Sequence, residues 1–135
     1  FDLVNLAIRD HDHFRSRDIE FNLPRPNYTI DTMTYIKSRY LDHDFKLIVG
    51  EDNLVQFKKW KNYQEILNQY GIIIYPRKVN LETPLINHEN VELISAPRLD
   101  ISASQIRQML REGKVPKYLV PEEVLKLIEL KKYYT

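Results

Sequence analysis

The sequence has 135 residues, of which 43% are hydrophobic and 29% charged, and its net charge is +1 at pH 7. These totals predict one globular domain over residues 1–135, and they exclude a disordered chain or one drawn to nucleic acid or a membrane surface by its overall charge. It has no cysteine, which excludes disulfides and cysteine-ligated zinc, and with no visible signal peptide or membrane-spanning run we expect a cytoplasmic protein.

Helical patterns and short apolar strands alternate along the chain. The helical patterns cover residues 1–10, 29–40, 51–57, 63–70, 102–112 and 121–134, and the strand patterns cover 17–21, 45–50, 71–76 and 91–95. Thr29 is a candidate N-cap for one helix, and Ser102 with Gln105 forms a capping box for another. Residues 22–28 and 78–90 are polar and predict loops.

The apolar strands indicate the fold class. FKLIVG (45–50) and GIIIY (71–75) are nearly continuous apolar runs, as expected for a parallel sheet covered on both faces. We therefore predict an α/β fold with a doubly wound, Rossmann-like parallel sheet and C-terminal helices. Such sheets bind ligands beyond the carboxyl ends of their strands, where this chain places polar segments such as GEDN and YPRK.

The segment DISASQIRQMLREGK (100–114) combines a helix start with two hydroxyls and an arginine. Free N–H groups at a helix start favour an anion, and Ser104 and Arg107 would add donors suited to phosphate. Capping explains Ser102 without any ligand. The residues alone therefore leave two interpretations open, a phosphate-binding site and a solvated helix cap.

The same segment contains ISASQIR, which resembles the I-S-x-T/S-x-I-R motif of nucleotidyltransferases, with Ser104 at the position that is usually threonine. Four more stretches resemble the bacterial nicotinate-nucleotide adenylyltransferases, in the same order: RPNYTIDT (25–32), LIVGEDNLVQFKKW (47–60), GIIIYPR (71–77) and KYLVPEEVLKLIE (117–129). The resemblance covers nearly the whole chain. It implies an enzyme that transfers the adenylyl group of ATP to nicotinate mononucleotide, with Mg²⁺, giving deamido-NAD and pyrophosphate.

The resemblance also implies roles for seven residues. It implies contacts with the ATP phosphates for Ser102, Ser104 and Arg107, with the nicotinate group for Thr29 and Trp60, and with the ribose and backbone of the dinucleotide for Gly50 and Asp52. Most of these positions also have a structural alternative, such as packing at the edge of the core for Trp60 and stabilisation of a helix dipole for Asp52.

The sequence departs from the family at its catalytic motif, G-x-F-x-P-x-H-x-G-H. The histidines at 11, 13, 43 and 88 do not lie in this setting, and glycine occurs only at 50, 71 and 113. We therefore expect no catalytic residue in this chain. Because the helical pattern is already under way at Phe1, we expect a longer enzyme whose first strands precede it. RDIEF (17–21) would then be a strand that does not pair with FKLIVG, while FKLIVG would pair with GIIIY.

Other functions stay open at this stage. A sister adenylyltransferase could act on nicotinamide mononucleotide or phosphopantetheine, and residues 102–132 could form a non-enzymatic nucleic-acid reader, although acidic residues balance their basic ones. The DHDH run with His11 and His13 is expected to be solvated, so no metal site is predicted. We expect ATP and nicotinate mononucleotide as partners, with neither nucleic acid nor membrane, and homo-oligomerisation stays open.

Overall fold

The computed structural model describes residues 1–77, 83–97 and 99–134 and consists of two compact units. The first unit comprises Phe1–Asp18 and Asp100–Thr135, and the second comprises Ile19–Leu99. This division does not decide whether the chain is one domain, which stays a prediction. No helix in the described ranges is both long and apolar enough to cross a membrane.

The second unit is built on a parallel sheet. Its strands in the described residues are β1 (Leu47–Gly50), β2 (Ile72–Tyr75) and β3 (Val91–Leu93), in the order β1-β2-β3. The register places Leu47 opposite Ile72. On one face of the middle strand β2, the β-branched side chains of Ile72 and Ile74 are 1% and 0% exposed. The predicted α/β class and the pairing of FKLIVG with GIIIY are both confirmed.

Helices cover this sheet. The second unit contains α2 (Ile19–Asn22), α3 (Thr29–Arg39), α4 (Glu51–Gln56) and α5 (Tyr63–Gln69), with 3₁₀ helices at Phe57–Lys59 and Pro84–Asn87. The side chains of Leu54, Phe57 and Ile66 are fully buried between helices and sheet. Gly71 links α5 to β2 with φ of +73°, and its N–H bonds to the carbonyls of Ile66 and Leu67. This positive φ favours glycine, because a residue with a side chain would be strained in the left-handed region.

The first unit is helical. It contains α1 (Asp2–Ile8), α6 (Ala103–Arg111) and α7 (Glu122–Lys131). Val124 and Ile128 of α7 are buried, and Arg9, just after α1, places its Nη2 2.6 Å from Glu123 Oε2. Both ends of this ion pair are about half exposed, so it orients α1 against α7 and contributes little stability.

Two local predictions are wrong. RDIEF is not a strand, because residues Ile19–Asn22 form the short helix α2. Branched and aromatic residues favour a strand only where a neighbouring strand pairs with them. This segment instead contacts α3, where Thr32 Oγ1 donates to the Glu20 carboxylate at 2.9 Å. Thr29 is not an N-cap either. Tyr28 occupies that position with extended backbone, and no side chain caps the helix.

The loop predicted over residues 78–90 is only partly described. Residues 78–82 lie outside the described ranges. The remainder is more regular than predicted, because Thr83 caps the 3₁₀ helix Pro84–Asn87, accepting a hydrogen bond from the Leu85 N–H. A proline at the first position of this helix suits the start of a helical turn, since its missing N–H would have no partner there.

Adjacent positions on α4 provide a test of this core. Leu54 is 0% exposed and Val55 is 54% exposed. We expect Leu54→Ala to lower the free energy of unfolding by about 2–5 kcal/mol, because it leaves a cavity in a packed core. Val55→Ala should change it by less than about 0.5 kcal/mol. Urea titrations of both variants measure the difference, and equal losses would contradict this description of the core.

Candidate functional site

The carboxyl ends of β1 and β2 bring four residues together: Gly50, Glu51, Asp52 and Arg77, here called the strand-end cluster. The strands run parallel with Gly50 opposite Tyr75, so the segments that follow them leave the same edge of the sheet. Glu51 Oε2 accepts a hydrogen bond of 2.7 Å from the Arg77 backbone N–H. Asp52 Oδ1 lies 3.5 Å from Arg77 Nε. Two consecutive carboxylates therefore contact the same arginine in different ways.

The two carboxylates differ in exposure. Glu51 is 8% exposed, whereas the Asp52 side chain is 49% exposed. A buried carboxylate needs a donor, and the Arg77 N–H provides one, so Glu51 joins the ends of the two strands. Asp52 remains open to solvent and can accept hydrogen bonds from a ligand. The sequence analysis did not identify Glu51, although its position directly after a buried strand was a signal available there.

Gly50 allows this cluster to close. A Cβ atom at this position would lie 2.5 Å from Asp52 Oδ1 and 2.9 Å from Arg77 Nε. Any larger residue would therefore push the pair away from the backbone. With glycine, the cluster presents an acceptor carboxylate beside a donor guanidinium, a combination that suits ligand hydroxyl groups or an anionic oxygen.

A second cluster surrounds the start of α3, and we call it the helix-start cluster: Tyr28, Thr29, Asp31, Trp60 and Lys61. Thr29 is the first residue of α3, and within the described residues its hydroxyl and its N–H form no hydrogen bond. Lys61 Nζ lies 3.0 Å from Asp31 Oδ2 and 4.5 Å from the centroid of the Tyr28 ring. Lys61 thus joins the segment that carries Trp60 to the helix start that carries Thr29.

Trp60, the only tryptophan of the chain, is half-buried in this second cluster. Its backbone N–H donates to the Phe57 carbonyl at 2.9 Å, and its ring centroid lies 5.2 Å from that of Phe57, with the planes tilted by 49°. The buried Phe57 fixes the indole ring while part of it stays accessible. A partly exposed aromatic ring of this kind can stack on a planar ligand.

The serine and arginine pattern lies in the other unit, at the start of α6. The predicted capping box is confirmed: Ser102 Oγ accepts from the Gln105 N–H at 3.2 Å and donates to Gln105 Oε1 at 3.0 Å. Arg107 Nη2 donates to Ser104 Oγ at 3.2 Å. The Ser102 hydroxyl proton is therefore used by the cap, whereas the Ser104 proton and most of the Arg107 donors remain for a ligand.

Three of the four histidines contact neighbouring residues. His43 stacks on Phe45 with ring centroids 5.9 Å apart, His11 packs edge-on to Phe14 at 5.5 Å, and His88 Nδ1 accepts from the Asn90 N–H at 3.1 Å. In the part of the chain that the structure describes, no three His, Asp or Glu side chains group together as metal ligands.

The sequence is similar to a known family of enzymes. The model of the cytidylyltransferase-like family matches residues 2–109. A protein of Cytophaga hutchinsonii named "Probable nicotinate-nucleotide adenylyltransferase" is 49% identical over 135 residues, covering 100% of this chain and 70% of that protein. A protein of the same name from Flavobacterium psychrophilum is 41% identical, covering 98% of this chain and 69% of its own length.

Solved structures share the fold. A solved structure of a Vibrio parahaemolyticus protein superposes with a TM-score of 0.74 at 22% identity, covering 98% of this chain and 68% of that one. The nicotinic acid mononucleotide adenylyltransferase of Plasmodium falciparum, complexed with NaAD, gives a TM-score of 0.65 at 19% identity, covering 80% of this chain and 57% of that one. At these identities the likeness shows the fold alone.

The adjacent carboxylates of the strand-end cluster should differ in their effect on stability. We expect Glu51→Ala to lower the free energy of unfolding by about 1–3 kcal/mol, because the Arg77 N–H loses its acceptor. Asp52→Ala should cost at most about 1 kcal/mol, since an exposed ion pair contributes little. Thermal and urea unfolding of both variants measure this difference. Equal costs would contradict the assignment of Glu51 as the residue that joins the strand ends.

Proposed function

The chain belongs to the nicotinate-nucleotide adenylyltransferases of the cytidylyltransferase-like family, and from this we propose that it transfers the adenylyl group of ATP to nicotinate mononucleotide, giving deamido-NAD and pyrophosphate. The observation that carries this proposal is the 49% identity to the Cytophaga hutchinsonii protein over 135 residues, the whole of this chain. The match includes both units and therefore every residue discussed above.

The reaction is a phosphoryl-group displacement at the α-phosphorus of ATP. An oxygen of the nicotinate mononucleotide phosphate forms a new bond to this phosphorus. The bond from the α-phosphorus to the oxygen that bridges it to the β-phosphorus breaks, and pyrophosphate leaves with that oxygen. Such a reaction requires two anions to be held in line and their charge to be neutralised, which polar and cationic side chains can do.

The start of α6 supplies donors for the ATP phosphates. Arg107 and Ser104 are linked at 3.2 Å, so one guanidinium and one hydroxyl proton can bind phosphate oxygens side by side. The N–H groups of Ala103 and Ser104 form no hydrogen bond within the described residues. They lie at the start of α6, a helix of nine residues. Ser102 would act mainly through its capping box, which fixes the direction of these donors.

The helix-start cluster supplies a place for the nicotinate group. Among the described residues the hydroxyl and the N–H of Thr29 have no hydrogen-bond partner, so both fit a carboxylate, and Trp60 offers a partly exposed ring for the pyridine. In the strand-end cluster, Asp52 can accept hydrogen bonds from ribose hydroxyls while Gly50 keeps the backbone accessible. Arg77 holds Asp52 in place and adds donors there.

Magnesium would enter with ATP. Because no three acidic or histidine side chains group together in the described residues, the chain shows no protein cage for the ion. Mg²⁺ keeps much of its hydration shell and commonly binds through substrate phosphates, so the phosphates of ATP would be its main ligands. Nor does the sequence contain an H-x-G-H motif, and we assign no catalytic acid or base among these residues.

The alternatives differ in testable ways. A sister enzyme would prefer nicotinamide mononucleotide or phosphopantetheine as the phosphate that attacks ATP, and a comparison of pyrophosphate release with each substrate decides between them. The nucleic-acid reader is disfavoured, because basic side chains of the proposed helical surface are paired with acids, as in Lys126–Glu122 and Lys114–Glu112 at 2.7 Å each.

Arg107→Ala tests the phosphate site. We expect the KM for ATP to rise at least tenfold with little loss of fold, since a hydrogen bond to a charged group contributes about 1.5–3 kcal/mol and tenfold corresponds to about 1.4 kcal/mol. Arg111→Ala, one turn further along α6, is the control and should leave the KM nearly unchanged. Pyrophosphate release at varied ATP concentration measures both, and an unchanged KM and turnover in Arg107→Ala would refute the role.

Trp60→Ala tests the nicotinate site. We expect the KM for nicotinate mononucleotide to rise about fivefold or more while the KM for ATP changes less, because stacking of a base on an aromatic ring contributes about 1–3 kcal/mol. Trp60→Phe keeps an aromatic face and packing against Phe57, so it should retain part of the affinity. If Trp60→Ala raised both Michaelis constants equally, the ring would have only a structural role.

A further inference from the structure

Lys61 is the residue of the helix-start cluster that contacts both Asp31 and Tyr28, and the sequence analysis gave it no role. Its Nζ lies 3.2 Å and 3.0 Å from the two oxygens of Asp31 and 4.5 Å from the centroid of the Tyr28 ring. Tyr28 and Asp31 stand on either side of Thr29 in the sequence, at the N-cap and in the first turn of α3. Lys61 follows Trp60 directly in the sequence. Because its ammonium group contacts Tyr28 and Asp31, this group lies at the start of the helix that carries Thr29.

Asp31 creates an electrostatic problem for an anionic ligand at this place. The start of α3 is attractive to a negative charge, because the helix dipole and the free N–H groups of its first turn point there. The negative charge of a carboxylate in the same turn cancels part of the positive potential at the helix start and repels a second anion. An unpaired Asp31 would therefore favour a neutral ligand over a charged one.

Lys61 removes this problem by neutralising Asp31. The lysine contacts both carboxylate oxygens, and the Tyr28 ring provides a second favourable contact for the ammonium group. Two other lysines of the same segment, Lys58 and Lys59, form no ion pair within the described residues. The contact with Asp31 is thus specific to position 61 and is not a general effect of a basic segment.

We propose that Lys61 is a positioning residue that makes the start of α3 selective for a carboxylate-bearing ring, nicotinate, over the neutral carboxamide, nicotinamide, by neutralising Asp31. The inference rests on the proposed binding of the nicotinate group by Thr29 and Trp60. The inference adds a reason why the proposed nicotinate site accepts a second negative charge close to Asp31. Lys61 acts through Asp31 and needs no contact with the ligand.

The emission of Trp60 reports binding directly, because it is the only tryptophan of this chain. The protein and its variants are titrated separately with nicotinate mononucleotide and with nicotinamide mononucleotide. In Lys61→Met, which keeps the length of the side chain and loses the charge, we expect the Kd for nicotinate mononucleotide to rise about tenfold, equivalent to about 1.4 kcal/mol. The Kd for nicotinamide mononucleotide should change less than about twofold. Lys58→Met is the matched control and should change neither value.

Rescue separates the charge effect from a structural one. In the double variant Lys61→Met with Asp31→Asn, the source of repulsion is gone, and we expect the affinity for nicotinate mononucleotide to return to within about threefold of the original. Lys61→Arg keeps the positive charge and should retain the preference. The Lys61 and Asp31 side chains are 42% and 46% exposed, so these substitutions should leave the melting temperature nearly unchanged.

The outcomes distinguish this inference from the function on which it rests. If the original protein does not respond to nicotinate mononucleotide, the proposed nicotinate site fails, and the inference fails with it. If the original protein responds and Lys61→Met binds nicotinate mononucleotide equally well, the inference alone is overturned. It is also overturned if Lys61→Met loses both ligands to the same extent, or if the double variant shows no rescue, because either result would show that Lys61 only shapes the cluster.

Discussion

The hydrogen bond between the buried Glu51 carboxylate and the Arg77 N–H connects the fold of the second unit to its chemistry. It joins the ends of two parallel strands at the edge where such sheets bind ligands. The burial of Glu51 makes this bond necessary, because an isolated carboxylate out of water is costly. Once the bond is made, the Arg77 side chain lies over Gly50 and meets Asp52. The scaffold and the proposed ligand-binding groups therefore depend on the same contact.

The starts of α3 and α6 illustrate two ways in which a helix can leave its first N–H groups available. At α6, the reciprocal bonds between Ser102 and Gln105 satisfy the cap and leave the next donors, with Ser104 and Arg107, directed outward. At α3 no side chain of the described residues caps the helix, and an ion pair in its first turn sets the local charge instead. The first arrangement suits the dense charge of phosphates, and the second suits one carboxylate.

Much of the local structure around the candidate site could be predicted because it depends on local sequence. The capping box of Ser102 and the pairing of the two apolar strands follow from short patterns whose physical causes are local, and both are confirmed. Thr29 and RDIEF were predicted wrongly for two different reasons. A threonine beside a helix can stand at the cap or one residue after it, and apolar residues form a strand only where a partner strand pairs with them.

By itself, the sequence determined the α/β class, the order of the main elements and the family, because apolar periodicity and ordered motifs are properties of neighbouring residues. Only the tertiary structure decided which of the two carboxylates after β1 is buried, and that Lys61 alone among its neighbouring lysines meets Asp31. These contacts join residues 26 and 30 positions apart. No local pattern specifies such a pair, since it exists only when packing has brought distant segments together.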